Sequence, residues 1–549
     1  MGGSFFNEFF TKQLYAFALS LHVVKGMEID MRLEIMDTTL RDGEQTPGVA
    51  FTENEKLSIA RILLEEVRVN RIEVASARIS KGEMEAAKMI AAWCSAKGYL
   101  DRVEVLGFVD GIKSVDWIVE AGIKVLNLLC KGSLMHVTQQ LKKSPDEHIS
   151  DIKAIIAYAT KNGLMVNLYL EDWSNGMKSS PEYVFKLIDS LKDENVKRFM
   201  LPDTLGVLDL DLTFEFCSML VKKYPGLHFD FHAHNDYDLG VANSLMAVKA
   251  GVTGIHTTVN GLGERAGNAT LSSMVAVLKD HFKEVEIDVN EAALTRISRI
   301  VEAFSGIRIP SNKPVIGDSV FTQTCGVHAD GDNKGNLYCN NLMPERFGRL
   351  RKYALGKTSG KASILKNLED TGINLDKESL AKVTERIVEL GDKKENITTE
   401  DLPYIVSDVL GNKLIDERIK VRNYYICHAH NLSPVATLSI EVDGEVYEET
   451  STGDGQYDAF MKALGKIYEK LDRTLPTLVD YIVTIPPGGR TNALVETVVT
   501  WNHKGEFKTR GLDSDQTASA IKATVRMLNL VENRDVKQVS DKIDAVADN

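Results

Sequence analysis

Leu33-Glu34-Ile35-Met36-Asp37 runs into the polar loop Thr38-Thr39-Leu40-Arg41-Asp42-Gly43-Glu44-Gln45, and Thr52-Glu53-Asn54-Glu55 follows it. The first five residues read as a short strand. Thr52 with Glu55 three places on is a capping box, which satisfies two orphan N–H groups at a helix start. Leu57, Ala60 and Leu64 then recur at helical spacing. This strand–loop–helix unit repeats. Further strands read at Arg71 to Val74, Val103 to Phe108, Val125 to Leu129, Val166 to Leu170, Arg198 to Leu201, His228 to Phe231 and Ile255 to Val259, with amphipathic segments between them. Eight alternations predict an α/β chain whose first domain is a (β/α)₈ (TIM) barrel. A doubly wound open sheet would alternate in the same way. The count of eight, and the lack of a nucleotide-type Gly loop after the first strand, disfavour it.

A barrel of this kind keeps its chemistry at the C-terminal ends of its strands. Arg41 and Asp42 follow strand one, Glu171 strand five, and Asp203 and Thr204 strand six; His232 and His234 end strand seven, and Asn260 follows strand eight. Side chains two apart on a strand share a face, so the two imidazoles stand together. A lone His-x-His is more often a hydrogen-bonded pair than a metal site. Strands one, seven and eight are neighbours around a closed barrel, however, and Asp42 can supply the missing carboxylate. Asp42, His232 and His234 are therefore the expected metal ligands, with Asn260 as a fourth candidate. Asn260-Gly261-Leu262-Gly263-Glu264-Arg265-Ala266-Gly267-Asn268 stands where barrels tend to bind phosphate, and Asn260, Gly261, Gly263 and Asn268 are candidates for holding a phosphorylated cofactor. As a bare pattern it is only a tight turn.

Composition bounds the remainder. The chain has 549 residues, too many for one core, and a net charge of −13, which disfavours nucleic acid as a partner. No apolar run is long enough to span a membrane. Six cysteines without framework spacing read as reduced thiols in a cytoplasmic protein. Residues 1–31 read as a disordered or mis-started leader, 32–305 as the barrel, 306–418 as a linker and lid, 419–533 as a C-terminal domain, and 534–549 as a tail. That C-terminal domain carries an internal repeat: Val435 to Ala463 matches Val495 to Ala523 at a period of roughly 60 residues. Each copy reads as strands and a helix, with Phe460, Leu464 and Ile467, and Ile521, Val525 and Leu528, as buried stripes. A duplicated α+β unit without a catalytic cluster is a ligand sensor or a dimerisation module.

Asp37 to Gln45, the His232/His234 pair and Asn260 to Asn268 together resemble the 2-isopropylmalate synthase family, metal-dependent barrels that condense acetyl-CoA with a 2-oxo acid. The resemblance runs from about Met31 to Leu530. It implies a divalent metal (zinc, manganese or magnesium), acetyl-CoA as co-substrate, a homodimer whose linker lids the partner's barrel, and feedback by a branched-chain amino acid. Leu106-Gly107-Phe108, Leu128 to Ser133, Tyr169 to Trp173 and Gly326 to Tyr338 point to members that use pyruvate and serve isoleucine formation. The alternative is 2-oxoisovalerate as acceptor, with leucine as effector. By the same resemblance Leu106, Phe108, Leu129 and Tyr169 line the acceptor pocket, and Asn336 joins the cofactor contacts. The methyl proton falls to His328, with Glu171 orienting and Tyr338 assisting. Arg41 would stabilise the alkoxide and Thr204 hold the acceptor carboxylate. Two other readings, a carbon–carbon lyase and a non-enzymatic sensor, are disfavoured by the appended repeat and by the retention of Arg41 and the ligands.

Overall fold

A computed structural model gives the architecture and describes residues 31–335, 337–370, 373–392, 397, 399–410, 418–484, 495–503 and 505–547. The leader expected at 1–31 thus lies outside the described residues except for Met31, and Asn336 lies outside them too. The chain divides into two compact units, Met1–Phe321 with Cys339–Arg351, and Thr322–Tyr338 with Lys352–Asn549.

The first unit is a closed parallel barrel. Its strands are β1 (Glu34–Asp37), β2 (Arg71–Ser76), β3 (Val103–Phe108), β4 (Val125–Lys131), β5 (Met165–Glu171), β6 (Val196–Asp203), β7 (Phe229–Ala233) and β8 (Gly254–Thr257). Closure comes from β1 pairing with β8, Met36 opposite His256 and Asp37 opposite Thr257. The capping box forms as expected: Thr52 accepts from the Glu55 amide while Glu55 accepts from the Thr52 amide. Beyond Arg61 the helix continues as a π-helical stretch, Ile62–Val67.

Alternation decides what faces each side of the sheet. One set of residues, such as Ile35, Ile72, Val105, Leu126, Leu168, Phe199 and Phe231, packs outward under the helices in one large apolar cluster. The other set points into the barrel, and there it is unusually polar. Arg71, Glu104, Asn127, Asn167, Arg198, Asp230 and His256 are all buried, where such barrels are commonly filled by branched aliphatic side chains. A separate small apolar cluster, Met36, Leu106, Tyr169 and Met200 with Leu129 against it, sits among them.

In the second unit, two antiparallel three-stranded sheets each carry a helix. β9 (Ile419–Cys427), β10 (Val435–Val442) and β11 (Glu445–Thr452) precede the helix Gln456–Lys470; β12 (Thr477–Thr484), β13 (Val495–Asn502) and β14 (Glu506–Asp513) precede Gln516–Ala547. The copies share one core, in which Phe460, Leu464, Ile467, Ile521 and Leu528 are buried. The last helix runs through the segment expected as a tail, because 516–547 contains neither Gly nor Pro to stop it. In the stretch of chain that precedes these sheets, a small cluster around Ile364, Leu368, Val383 and Ile387 is the core of the linker helices. Among the described residues, no helix is long and apolar enough to cross a membrane.

Candidate active site

β1 ends at Asp37, and the next residues turn tightly, with the amides of Arg41, Asp42 and Gly43 all donating to the Thr38 carbonyl. That turn delivers Arg41 and Asp42 to the barrel mouth. Lys56 pins it from behind: its buried ammonium donates to the Leu40 carbonyl (3.1 Å) and pairs with Glu44 (2.7 Å) and Glu83. On β7 the period of two brings His232 and His234 to the same side as Asp42. Nε2 of His232 lies 3.3 Å and Nε2 of His234 4.0 Å from Asp42 Oδ2. The two Nε2 atoms are 3.4 Å apart. One potential ligand atom from each of the three falls within 4.8 Å of the others.

The electrostatics suit a cation. Burial pushes both imidazoles down to about 4, against the pull of Asp42, so each is neutral near pH 7 and has a lone pair to give. Burial would raise the Asp42 carboxyl, but Arg41 and the histidines outweigh it and hold the group well below the usual carboxylate range. Asn268 adds a further donor. Its amide nitrogen donates to Asp42 Oδ1 (3.0 Å) and to the Leu262 carbonyl (3.1 Å), which leaves its buried Oδ1 with no partner. Two neutral imidazoles, one carboxylate and an uncommitted amide oxygen fit a divalent metal.

The loop after β8 departs from expectation. Asn260 donates through its amide nitrogen to the Ser298 carbonyl (2.9 Å) and its buried Oδ1 has no partner, while Asn268 is the amide hydrogen-bonded to Asp42. Nor do Gly261, Gly263 and Asn268 present N–H groups to a phosphate. Their amides are spent on the Thr258 carbonyl, the Thr46 hydroxyl and the Gly261 carbonyl respectively. The glycines serve close packing instead. A Cβ on Gly263, at φ +147°, would meet the Asn268 amide at 2.1 Å. The loop thus packs against Asp42 through Asn268, with these three amides already engaged.

Arg41 is the hub of the other half. Its Nε donates to Glu73 (2.5 Å), one terminal nitrogen to Asp42 (2.8 Å) and the other to the Tyr169 hydroxyl (3.3 Å). From there a closed ring of hydrogen bonds runs around the barrel interior. Glu73 accepts from Asn127 (2.8 Å), Asn127 from Asn167 (2.8 Å), and Glu104 from Asn167 (3.3 Å) and Arg71 (3.1 Å). Arg71 also donates to Asp230 (2.7 Å), Asp230 meets His256 (3.0 Å), and His256 meets Tyr169 (2.8 Å). The ring joins buried polar groups into one network, in which Asn167 Oδ1 is left without a partner.

Around the mouth, Glu171 is ion-paired with Lys131. The Thr204 hydroxyl accepts from the Asp172 amide (2.9 Å) and keeps its own proton to donate. Asp203 is not exposed to substrate chemistry, because both its oxygens hold the following loop through the amides of Val207 and Leu208. Leu106 and Tyr169 are buried, whereas Leu129 and Phe108 are half-buried. In the second unit His328 lies in the helix Gly326–Asn333 and stacks on Tyr338, ring centroids 4.3 Å apart. Glu73, Asp230, His256 and Lys131 were not singled out from the sequence. All four occupy the inward register of a strand that also carries a recognised residue or lies beside one, and that register is the signal that finds them.

Comparison with known proteins bears on the whole chain. Residues 32–301 match the family described as HMGL-like, 315–395 the homocitrate synthase post-HMGL domain-like family, and 396–532 the LeuA allosteric (dimerisation) domain. The chain is 34% identical over 507 residues to the (R)-citramalate synthase of Methanocaldococcus jannaschii, covering 92% of this chain and all of that one (100%). It is 32% identical over 516 residues to the 2-isopropylmalate synthase of the same organism, covering 92% and 96%. The chain belongs to the 2-isopropylmalate synthase family. As a member it is an acyltransferase-type condensing enzyme. Family membership also accounts for the order of parts, with the barrel first and the paired antiparallel sheets last.

Proposed function

We propose that the enzyme condenses acetyl-CoA with pyruvate to give (R)-citramalate and free CoA. The observation that carries this reading is the apolar wall of Met36, Leu106, Tyr169 and Met200, with Leu129 against it. The wall stands beside the ligand cluster, as the Tyr169 ring lies 5.9 Å from that of His232. Its aromatic member is held at the hydroxyl by Arg41 and His256 and has no freedom to retreat. Such a wall admits a methyl group and resists a branched chain.

Asp42, His232 and His234 would hold a divalent ion, with the Asn268 oxygen available to it, and that ion supplies Lewis-acid polarisation of a carbonyl. The protein's own groups do the remaining work. The Thr204 O–H donates to the acceptor carboxylate. A base, proposed by the family resemblance as His328 from the lid of a second copy, takes a proton from the acetyl methyl carbon, and that carbon forms the new bond to the keto carbon. Arg41 donates to the oxygen on which negative charge then develops. Protonation of that oxygen and hydrolysis of the thioester release CoA. Lys131 fixes Glu171 beside this chemistry.

The test is thiol release from acetyl-CoA. The rate with pyruvate should exceed that with 2-oxoisovalerate by at least about tenfold, since extra carbons forced into a filled site strain their neighbours. Leu106→Ala should raise relative activity on the larger acid and weaken pyruvate. Wild type preferring 2-oxoisovalerate would replace this reading with 2-isopropylmalate synthesis.

For the C-terminal domain we propose feedback by isoleucine on a homodimer. A groove of about 580 Å³ is lined by Val421, Tyr424, Leu512, Ile521 and Val525 and by the charged Asp513, Lys522 and Arg526, of which Lys522 pairs with Asp513 and Arg526 with Asp401. Apolar walls and both signs of charge suit a branched-chain amino acid. Tyr425, Val446, Val479 and Ile482 are exposed on the sheets and offer cover to a second copy. Isoleucine should inhibit the intact enzyme, and Tyr424→Ala should relieve that inhibition. Indifference to isoleucine and leucine alike would leave the domain a dimerisation role only.

A further inference from the structure

We propose that His256 is a positioning residue whose single ring fixes both His232 and Tyr169, and so couples metal affinity to acceptor fit. The proposal rests on Asp42, His232 and His234 being the metal site.

Register pairs Asp230 on β7 with Gly254 on β8. A Cβ at Gly254 would fall 1.7 Å from Asp230 Oδ1, so glycine is what gives this carboxylate its place. Arg71 donates to Asp230 Oδ2 (2.7 Å), which makes the carboxylate one half of a buried ion pair. The same oxygen lies 3.0 Å from His256 Nε2. An ionised carboxylate only accepts, so Nε2 of His256 carries the proton and Nδ1 is left as a lone pair.

That lone pair has two donors within reach, the Tyr169 hydroxyl at 2.8 Å and His232 Nδ1 at 3.3 Å. A proton held on His232 Nδ1 leaves the Nε2 lone pair for a cation shared with Asp42 and His234, in place of the hydrogen bond that Nε2 could otherwise donate to Asp42. His256 thus selects the tautomer that a ligand needs, the part an outer partner of a metal-bound histidine commonly plays. The phenol donates to His256 and accepts from Arg41, which sets the ring plane of the acceptor wall. One residue, two strands from β6 and next to β1, therefore orients a ligand and a specificity wall together.

A purely structural histidine would change thermal stability and little else. The experiment uses the full-length enzyme and Mn²⁺ as probe, titrated in competition with a chromophoric chelator without substrates. His256→Leu should bind Mn²⁺ about 10–100-fold more weakly. Its ratio of kcat/KM for 2-oxobutanoate over pyruvate should rise about tenfold as Tyr169 loosens. His256→Gln, whose amide keeps a donor for Asp230 and an acceptor above it, should restore most of both. Tyr169→Phe should move the acceptor ratio and leave Mn²⁺ affinity near wild type. If the leucine variant does not fold, His256→Asn, which meets Asp230 but falls short of His232, reads the same loss. Wild type that takes up no Mn²⁺ defeats the metal-site reading itself. Wild-type enzyme and the folded leucine or asparagine variant binding Mn²⁺ equally would overturn the role of His256 alone.

Discussion

His234→Ala should leave a folded barrel that no longer retains metal on dialysis and turns over about 10³-fold more slowly or worse. Lewis-acid stabilisation of a developing oxyanion is worth several kcal/mol, and each 1.36 kcal/mol is a factor of ten. The choice of His234 over His232 is deliberate. His234 Nδ1 has no hydrogen-bond partner, so removing the ring takes away only the Nε2 contact with His232. His232 also touches His256, and its loss would disturb the interior ring as well. Elemental analysis and circular dichroism on the same sample decide the matter. Full metal content in the folded variant would remove His234 from the site.

The barrel was legible in the sequence because its outward residues are uniformly apolar and its helices begin with clear signals such as Thr52 and Glu55. The ligand triad was legible for a related reason: period two on β7 and closure of β1 onto β8 are enough to bring Asp42, His232 and His234 together. What alternation could not supply was the depth of the polar interior. Arg71, Glu73, Glu104 and Asp230 look like ordinary charges in apolar strands until the ring that joins them is seen. The loop after β8 is hard to read for a different reason. Glycines with positive φ can expose amides to a ligand or fold them inward, and the pattern of residues is the same in both cases. Only the positions of Thr46 and Asn268, distant from the glycines or beyond them in sequence, decide between the two. The pairing of His328 with Tyr338 followed from resemblance, and their stacking is compatible with joint action.

Arg41→Ala should cost about 10²–10³ in kcat, the usual loss when one preorganised donor to a developing oxyanion is removed. It should also cost stability, and the two effects have separate causes. Arg41 donates to Glu73 and Asp42, both fully buried. Burial raises the Glu73 carboxyl, and Arg41 is the main group opposing that. Removing one partner of a buried pair typically destabilises by about 3–5 kcal/mol, because a charge is left uncompensated. A drop in rate from Arg41→Ala could therefore be read as local collapse. Arg41→Lys separates the two. The ammonium can still neutralise Glu73 or Asp42, so most of the stability should return. It cannot serve Glu73, Asp42 and Tyr169 with one planar fork and still face the substrate oxygen. The rate should stay about 10²-fold down while Mn²⁺ content stays whole. Thermal melting, metal analysis and thiol release on the two variants separate the loss of stability from the loss of rate. A lysine enzyme as fast as wild type would show that charge alone suffices, and the fork geometry would lose its catalytic meaning.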